Sequence, residues 1–352
     1  MKLKMRGLLF YLAIAVLLLA ACSKDDKVED PVPELDEVEE KEEPMEEVSD
    51  ELVRSPFTGV LSEEENTRRP VLATINNHPQ ARPQSGISDA DIIYELAAEG
   101  SVTRLLALFQ SELPAEIGPI RSARDYFVHI AKGLDAFYVA HGYSPDAKQL
   151  LENNVIDNVN GMQYDGTLFW RSKDRKAPHN SYISEENIVE AELKTNSAMD
   201  ISVIPSFSFH ESIEDAKIGD SVSSVTVKYS SDPNFTSVYA YDAEKGTYER
   251  TVNGNLTIDK ANDKQIELSN ILVFETAHRT IDSAGRQAVD IESGGKGLLF
   301  QAGIAKEIEW ENSDGILMPM ENGVPVKLVP GQTWIHIVPT KPGMDTSVTY
   351  TP

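Results

Sequence analysis

Hydrophobic and polar positions change texture several times along this chain, and each texture predicts a different kind of structure. An unbroken apolar run extends from Gly7 to Ala21, directly behind Lys2, Lys4 and Arg6. From about residue 55 to about residue 210, short apolar runs alternate with helical patterns. Val71 to Ile75 is continuous, rich in β-branched residues and bounded by Pro70 and Asn76, which predicts a buried strand. Ile92 to Ala98 fits either a strand or the start of a helix, because periodicity does not separate the two in so short a run. Arg104 to Gln110 and Ala136 to Ala140 read as strands, and Arg124 to Lys132 and Pro145 to Asn153 as helices. A further helix is expected over Ile183 to Thr195, with Ser184 as its N-cap and Glu185 and Glu186 in the first turn.

After about Asp200 the pattern turns to strands. Val222 to Tyr229, Ser237 to Tyr241, Thr247 to Val252, Ile271 to Thr276, Gly297 to Gln301, Ile304 to Glu309 and Thr333 to Val338 all read this way. Turn signals separate them, among them Asn253-Gly254, Asp314-Gly315, Asn322-Gly323 and Pro330-Gly331. The pattern predicts an α/β N-terminal domain over residues 55–210, a mixed sheet with flanking helices, followed by a mainly β domain over residues 218–345.

The N-terminal run is shorter than the roughly 20 apolar residues that span a bilayer. With its cationic flank it predicts a signal peptide over residues 1–21. It ends in Leu19-Ala20-Ala21-Cys22, which resembles the lipobox of bacterial prolipoproteins. That resemblance implies a diacylglyceryl group on Cys22, which becomes the first residue after cleavage. The chain has one cysteine, so the mature protein is left without a disulfide or a thiol site.

Ser23 to Arg54 carries fifteen acidic residues against four basic ones, three prolines and no aromatic side chain. Such a segment buries too little apolar surface to offset its ordering entropy, so residues 22–54 are expected to form a disordered, lipid-anchored tether. Its flexible span is roughly 30 Å and its stretched limit roughly 110 Å. The formal charge of −25 includes +3 from the signal segment and −11 from the tether, leaving −17 for residues 55–352. A folded region that acidic argues against nucleic acid as a partner.

Several motifs in order then suggest a family. They are Asn76-Asn77-His78-Pro79-Gln80-Ala81-Arg82-Pro83-Gln84-Ser85-Gly86, Ala90-Asp91-Ile92-Ile93-Tyr94-Glu95 and Thr103-Arg104. Gly118-Pro119-Ile120-Arg121-Ser122-Ala123-Arg124, Phe169-Trp170-Arg171, Ala177-Pro178-His179-Asn180 and Pro330-Gly331-Gln332-Thr333-Trp334-Ile335 follow. Over about residues 55–340 the chain resembles the YerB family of bacterial lipoproteins, known chiefly from Gram-positive bacteria. The resemblance implies a two-part domain of unknown function, with no established reaction, cofactor or ligand. His141-Gly142-Tyr143-Ser144 departs from the more glycine-rich turn expected there.

The chemistry is therefore read from the residues. Gly118 and Pro119 mark a turn before the helical Ala123 to Lys132, placing Arg121, Ser122 and Arg124 where a loop opens into a helix N-terminus. Exposed N–H groups, the helix dipole and two guanidinium forks favour a phosphate or carboxylate there. The same arginines are equally open to pairing with the chain's own Asp91, Glu95 or Glu99. Arg82, Arg104 and Arg171 are candidates to converge on the same place. Asn76 and Asn77 follow a buried strand, where α/β folds present ligand-binding loops, though a plain turn explains them as well. His141, His179 and Asn180 occupy turns, where histidine serves as acid or base or simply as a hydrogen-bonding loop residue.

Catalytic patterns are mostly missing. There is no Gly-x-Ser-x-Gly, no second histidine follows His210-Glu211, and no cluster has metal-ligand spacing. The leading expectation is a lipoprotein of the cell envelope that holds an anionic ligand or a protein partner. The alternative is an envelope enzyme. Ile120 to Asp125, followed by the apolar strand and His141-Gly142, loosely resemble part of the LytR-CpsA-Psr phosphotransferases, which hold a polyprenyl pyrophosphate with arginines and usually need magnesium. No cofactor is assigned.

The lipobox makes one direct prediction. A Cys22→Ala precursor should stay uncleaved by lipoprotein signal peptidase and take up no radioactive palmitate; unchanged labelling would defeat the lipid anchor.

Overall fold

The computed structural model describes residues 52–352. The signal run, Cys22 and nearly all of the acidic segment lie outside the described residues. At their boundary, Val53–Arg54 pairs antiparallel with Leu61–Ser62.

Strands form in the first half at Val71–Asn76, Ile92–Glu99, Val102–Phe109 and Phe137–Ala140. The ambiguous run at Ile92 is a strand because both of its faces are covered, and β-branched and aromatic side chains suit that setting. Helices form at Asp125–Gly133, Pro145–Glu152 and Glu185–Thr195, and Ser184 caps the last by accepting from the Asn187 N–H. In the second half, Ile316–Glu321 and Val348–Thr351 are strands that the sequence pattern did not announce. The first carries Met318-Pro319 within it, and proline ordinarily demotes a run to non-strand. At Asn253-Gly254, both residues adopt the positive φ that a tight hairpin requires.

The architecture is α/β followed by mainly β, and one sheet joins the two parts. This mixed, twelve-stranded sheet begins at one edge with Val324–Pro325, Ile316–Glu321, Ile304–Ser313, Gly295–Gln301 and Asn270–Thr276. Thr333–Pro339 comes next, and the N-terminal strands Ile92–Glu99, Val102–Phe109, Val71–Asn76, Phe137–Ala140 and Asn158–Asn160 complete the order, while the twelfth strand, Asp220–Ser221, pairs with Ile304–Ser313 off this path. Thr333–Pro339 lies parallel to strands on both sides, Asn270–Thr276 and Ile92–Glu99. A strand from the end of the chain is thus the seam of the sheet. Strands with parallel neighbours are covered on both faces, which accounts for its continuous burial from Thr333 to Val338.

One face is covered by the helices Asp125–Gly133 and Pro145–Glu152, with Phe127, Ile130 and Leu151 packing against Leu72, Tyr94, Leu106 and Ile335. A second, six-stranded sheet built on Ser224–Lys228, Thr236–Asp242 and Thr247–Val252 covers the other. Its Val225, Val227, Tyr239 and Tyr248 join Ile93, Leu105, Val273 and Trp334 in one apolar layer.

A buried charge pair lies within that layer. Glu95, 1% exposed, is cross-strand partner to His336 and accepts from Arg250 at 3.2 Å, itself 3% exposed. The remaining carboxylate capacity is used by Asn77 at 3.1 Å, Thr103 at 2.8 Å and the Trp334 indole at 3.2 Å. Burial opposes the charge of Glu95, yet Arg250 and its other donors overcome this and hold its pKa below the ordinary carboxylate range. Arg250 lies 4.2 Å over the Trp334 ring and also donates to Ser237 and Thr257. The surrounding hydroxyls fix the state of His336. Tyr229 donates to the Glu95 carbonyl, so toward His336 Nδ1 it accepts; Tyr239 accepts from Arg250 and donates to His336 Nε2 at 2.6 Å. One neutral tautomer satisfies all four contacts, and burial lowers the pKa of this histidine to about 4.

Removing one partner of this pair strands a buried charge. Arg250→Met should cost about 3–5 kcal/mol, and Glu95→Gln added to it should recover part of the loss. Because one sheet crosses both halves, urea unfolding should give one transition with coincident tryptophan fluorescence and circular dichroism. Two separated transitions would show that the halves fold independently.

Candidate functional site

Four loop segments meet beside the end of strand Val71–Asn76, and backbone hydrogen bonds lace them together. The Asn76 N–H donates to the Pro119 carbonyl, and the Arg121 N–H donates to the Thr74 carbonyl, each at 2.8 Å. The His141 N–H donates to the Arg121 carbonyl at 2.9 Å, and the Ile120 N–H to the Ser181 carbonyl at 2.6 Å. Arg121 is therefore carried between Asn76-Asn77-His78, the turn after Phe137–Ala140 and the hairpin of Trp170–Arg171 with Ser181–Tyr182.

Half-buried Arg121 has no acceptor within hydrogen-bond distance of its guanidinium among the described residues. Its pKa is lowered by burial and then by the nearby charge of Arg171. Arg171 is held by the Asp165 carboxylate at 2.9 Å, by Asn180 Oδ1 at 3.3 Å and by His141 Nε2 at 2.9 Å. Since His141 Nε2 accepts from a guanidinium, its Nδ1 carries the proton and donates to Ser181 Oγ at 2.7 Å. The ring rests against Gly161, where any side chain would collide with it.

His78 and His179 stack with centroids 4.6 Å apart. Asn76 Oδ1 accepts from the His78 N–H, so its Nδ2 donates to His179 Nδ1 at 2.9 Å. The Gln80 N–H donates to His78 Nδ1 at 3.2 Å. Both rings are then neutral with the proton on Nε2, a donor for which the described residues supply no acceptor. Burial lowers the pKa of all three histidines. Positive neighbours add to it, with Arg121 acting on each, Arg82 on His78 and Arg171 on His141. The cluster is rich in N–H donors and excess positive charge inside a strongly acidic protein.

The structure divides the residues expected at this site. Asn76, Arg121, His141, Arg171, His179 and Asn180 come together. Ser122 stays beside them in a supporting role, its Oγ donating to the His141 carbonyl at 3.2 Å. Arg104 and Arg124, both buried, instead pair with Glu99, so of the arginines around the loop Arg121 alone keeps an unengaged fork among the described residues. The helix that follows opens with Asp125, which already supplies negative charge at the dipole's positive end. Arg82 and Asn77 turn the other way, Arg82 donating to Asn77 Oδ1 at 3.1 Å and Asn77 to Glu95. His78, Asp165 and Ser181 belong to the cluster and were not foreseen. His78 stood inside a quoted motif; nothing in the sequence links Asp165 to Arg171 or Ser181 to His141. The nearby carboxylates Asp165 and Glu99 are both engaged by arginines. Among the described residues no three His, Cys, Asp or Glu side chains gather as a metal site.

This two-part architecture places the chain in a known class. Residues 57–198 match the family described as "Protein of unknown function (DUF3048) N-terminal domain", and residues 225–335 match its C-terminal domain. The chain belongs to this family. It is 41% identical over 331 residues to the YerB protein of Bacillus subtilis (strain 168), a candidate lipoprotein by its name; the match covers 93% of each chain. The crystal structure of Bacillus subtilis YerB superposes with a TM-score of 0.78 at 41% identity, covering 85% of this chain and all of that one. The protein is a YerB-type lipoprotein. No helix among the described residues is long and apolar enough to cross a membrane.

Stability measurements separate the two kinds of arginine. Arg124→Gln breaks the link to Glu99 and should lower stability by about 1–3 kcal/mol. Arg121→Gln removes an unpaired charge from beside Arg171 and Arg104, and its melting temperature should equal or exceed that of the wild type. A loss at Arg121 as large as that at Arg124 would show that Arg121 is structural.

Proposed function

We propose that this lipoprotein is held by the lipid on Cys22 at the outer face of the membrane and binds an anionic, phosphate-bearing ligand of the cell envelope through Arg121. The observation that carries this reading is the unpaired, half-buried guanidinium of Arg121 beside Arg171 and two histidine Nε2–H donors. A guanidinium without a counter-ion is poorly stabilised where water is partly excluded, and an oxyanion supplies both the charge and the acceptors. Asp165 and Asn180 orient Arg171, and Arg171 fixes the tautomer of His141, so the donor array is set before a ligand arrives. The acidic tether would extend the domain away from an anionic envelope surface, leaving the cationic cluster to select ligands by close contact.

Linkage gives the pH dependence. The histidine pKa values are depressed in the unliganded protein, and a bound anion raises them, so binding takes up protons. Affinity should rise as pH falls from neutrality through the ordinary histidine range. Dimethyl phosphate, a diester whose single negative charge does not change in this range, titrated calorimetrically at about pH 7.5 and about pH 6, is the probe; tighter binding is expected at the lower pH. Arg121→Gln should weaken it roughly 10- to 150-fold, the equivalent of one charge-assisted hydrogen bond at about 1.5–3 kcal/mol. Equal affinity in wild type and variant, or no binding at either pH, would refute the anion site.

A further inference from the structure

A cavity of about 500 Å³ opens at the seam between the two halves, and Arg121 is not among the residues that line it. Arg82 and Pro83 line it from the first half, and Val252, Leu256 and Ile258 give it apolar lining from the second, together with Arg250. Its size lies within the range of small-molecule sites, and such sites favour junctions between structural units.

Arg82 has no ion-pair partner among the described residues. Arg82 and Arg250 contribute two positive charges, and Glu95 and Asp232 are the acids whose charge acts on Arg82. Glu95 contributes one negative charge and is committed to Arg250, while His336 is neutral. Arg82 Nε and Nη2 donate to Asn77 Oδ1 and to the Asn77 carbonyl at 2.7 Å, both uncharged acceptors. Its Nη1 has no acceptor among the described residues. Glu95 and then Asp232 act on Arg82 by charge without a hydrogen bond to it, and its guanidinium carbon lies over the Phe235 ring, 5.9 Å from the centroid. Burial and the charge of Arg250 bring its pKa down to about 10, so it remains protonated at neutral pH without a paired anion. A preset guanidinium beside an apolar wall suits a ligand with one anionic end and an apolar body.

We infer that this cavity is a second binding site, distinct from the Arg121 cluster, for a small molecule carrying a carboxylate or phosphate monoester on an apolar body. The anion pairs with Arg82 Nη1, and the body lies against Val252, Leu256 and Ile258. Because its walls come from both halves, occupancy would stabilise the seam and raise the melting temperature.

Methyl-labelled mature chain, titrated separately with hexanoate, hexyl phosphate and hexanol, tests the inference and locates the ligand. Hexanoate or hexyl phosphate should shift the Val252, Leu256 and Ile258 methyl signals saturably, at least about tenfold more tightly than hexanol. The better of the two anions identifies the head group. Arg82→Gln should abolish the advantage over hexanol, whereas Arg121→Gln should leave it intact. Leu256→Asp, at a side chain 42% exposed and so tolerant of change, should repel the anions even if the Arg82 variant fails to fold. Equal affinity for hexanol, the absence of saturable shifts at these methyls, or tight anion binding that survives Leu256→Asp would each overturn the proposal.

Discussion

Glu95 enters the interior as a carboxylate, and much of the architecture follows from what is needed to keep it there. A buried charge is tolerated only when it is paired and its remaining lone pairs are filled. Here the carboxylate comes from the first half of the chain, on Ile92–Glu99, while Arg250, Trp334 and His336 come from the second. The pair is complete only when strand Thr333–Pro339 lies in register beside Ile92–Glu99 and the smaller sheet closes over both. A shift of one residue would send Glu95 to the opposite face, among the helices, where Arg250 cannot reach it. Pairing of this kind adds little net stability over apolar packing, but it penalises other registers heavily.

The same accounting separates the arginines. Arg104 and Arg124 meet at Glu99 and Arg69 meets Asp135 and Asp157, whereas Arg121 and Arg82 are left short of counter-charge. Arg82 belongs to the segment Asn76–Ser85, which runs directly from a buried strand, and Arg121 lies beside the start of that segment. Asn76 and Asn77 divide the work, one turning to His179 and the other to Glu95. Asn77 anchors the segment in the core through Glu95 and Thr103.

Much of the fold was legible because buried strands leave continuous apolar runs and capped helices leave end signals. Thr247–Val252 forms with the bounds its alternation predicted, and Ser184 caps as its position before two glutamates suggested. Ile316–Glu321 was hidden by Pro319, which is accommodated in that strand toward the edge of the large sheet. The candidate site was legible in its loops but not in its pairings. The motif containing Arg121 and Arg124 gave two arginines of equal standing, and nothing local distinguishes the one that reaches Glu99 from the one that does not.

What the sequence determined by itself is whatever depends on neighbours along the chain. This includes the apolar run ending at Cys22, the acidic composition behind it, the positions of most strands and helices, and the turns that carry Arg121, His141 and His179. Tertiary structure decided whatever depends on charges meeting across long separations. It joined the two halves through a strand from the chain's end, gave Glu95 to Arg250 across 155 positions, and gave Arg171 to Asp165 and His141. A side chain's partner is set by the register and packing of elements far apart in sequence, and electrostatic energy in a low-dielectric interior depends steeply on that final distance. The residues capable of binding an anion could therefore be named from their order, while those left with charge to spare were fixed only when the sheet closed.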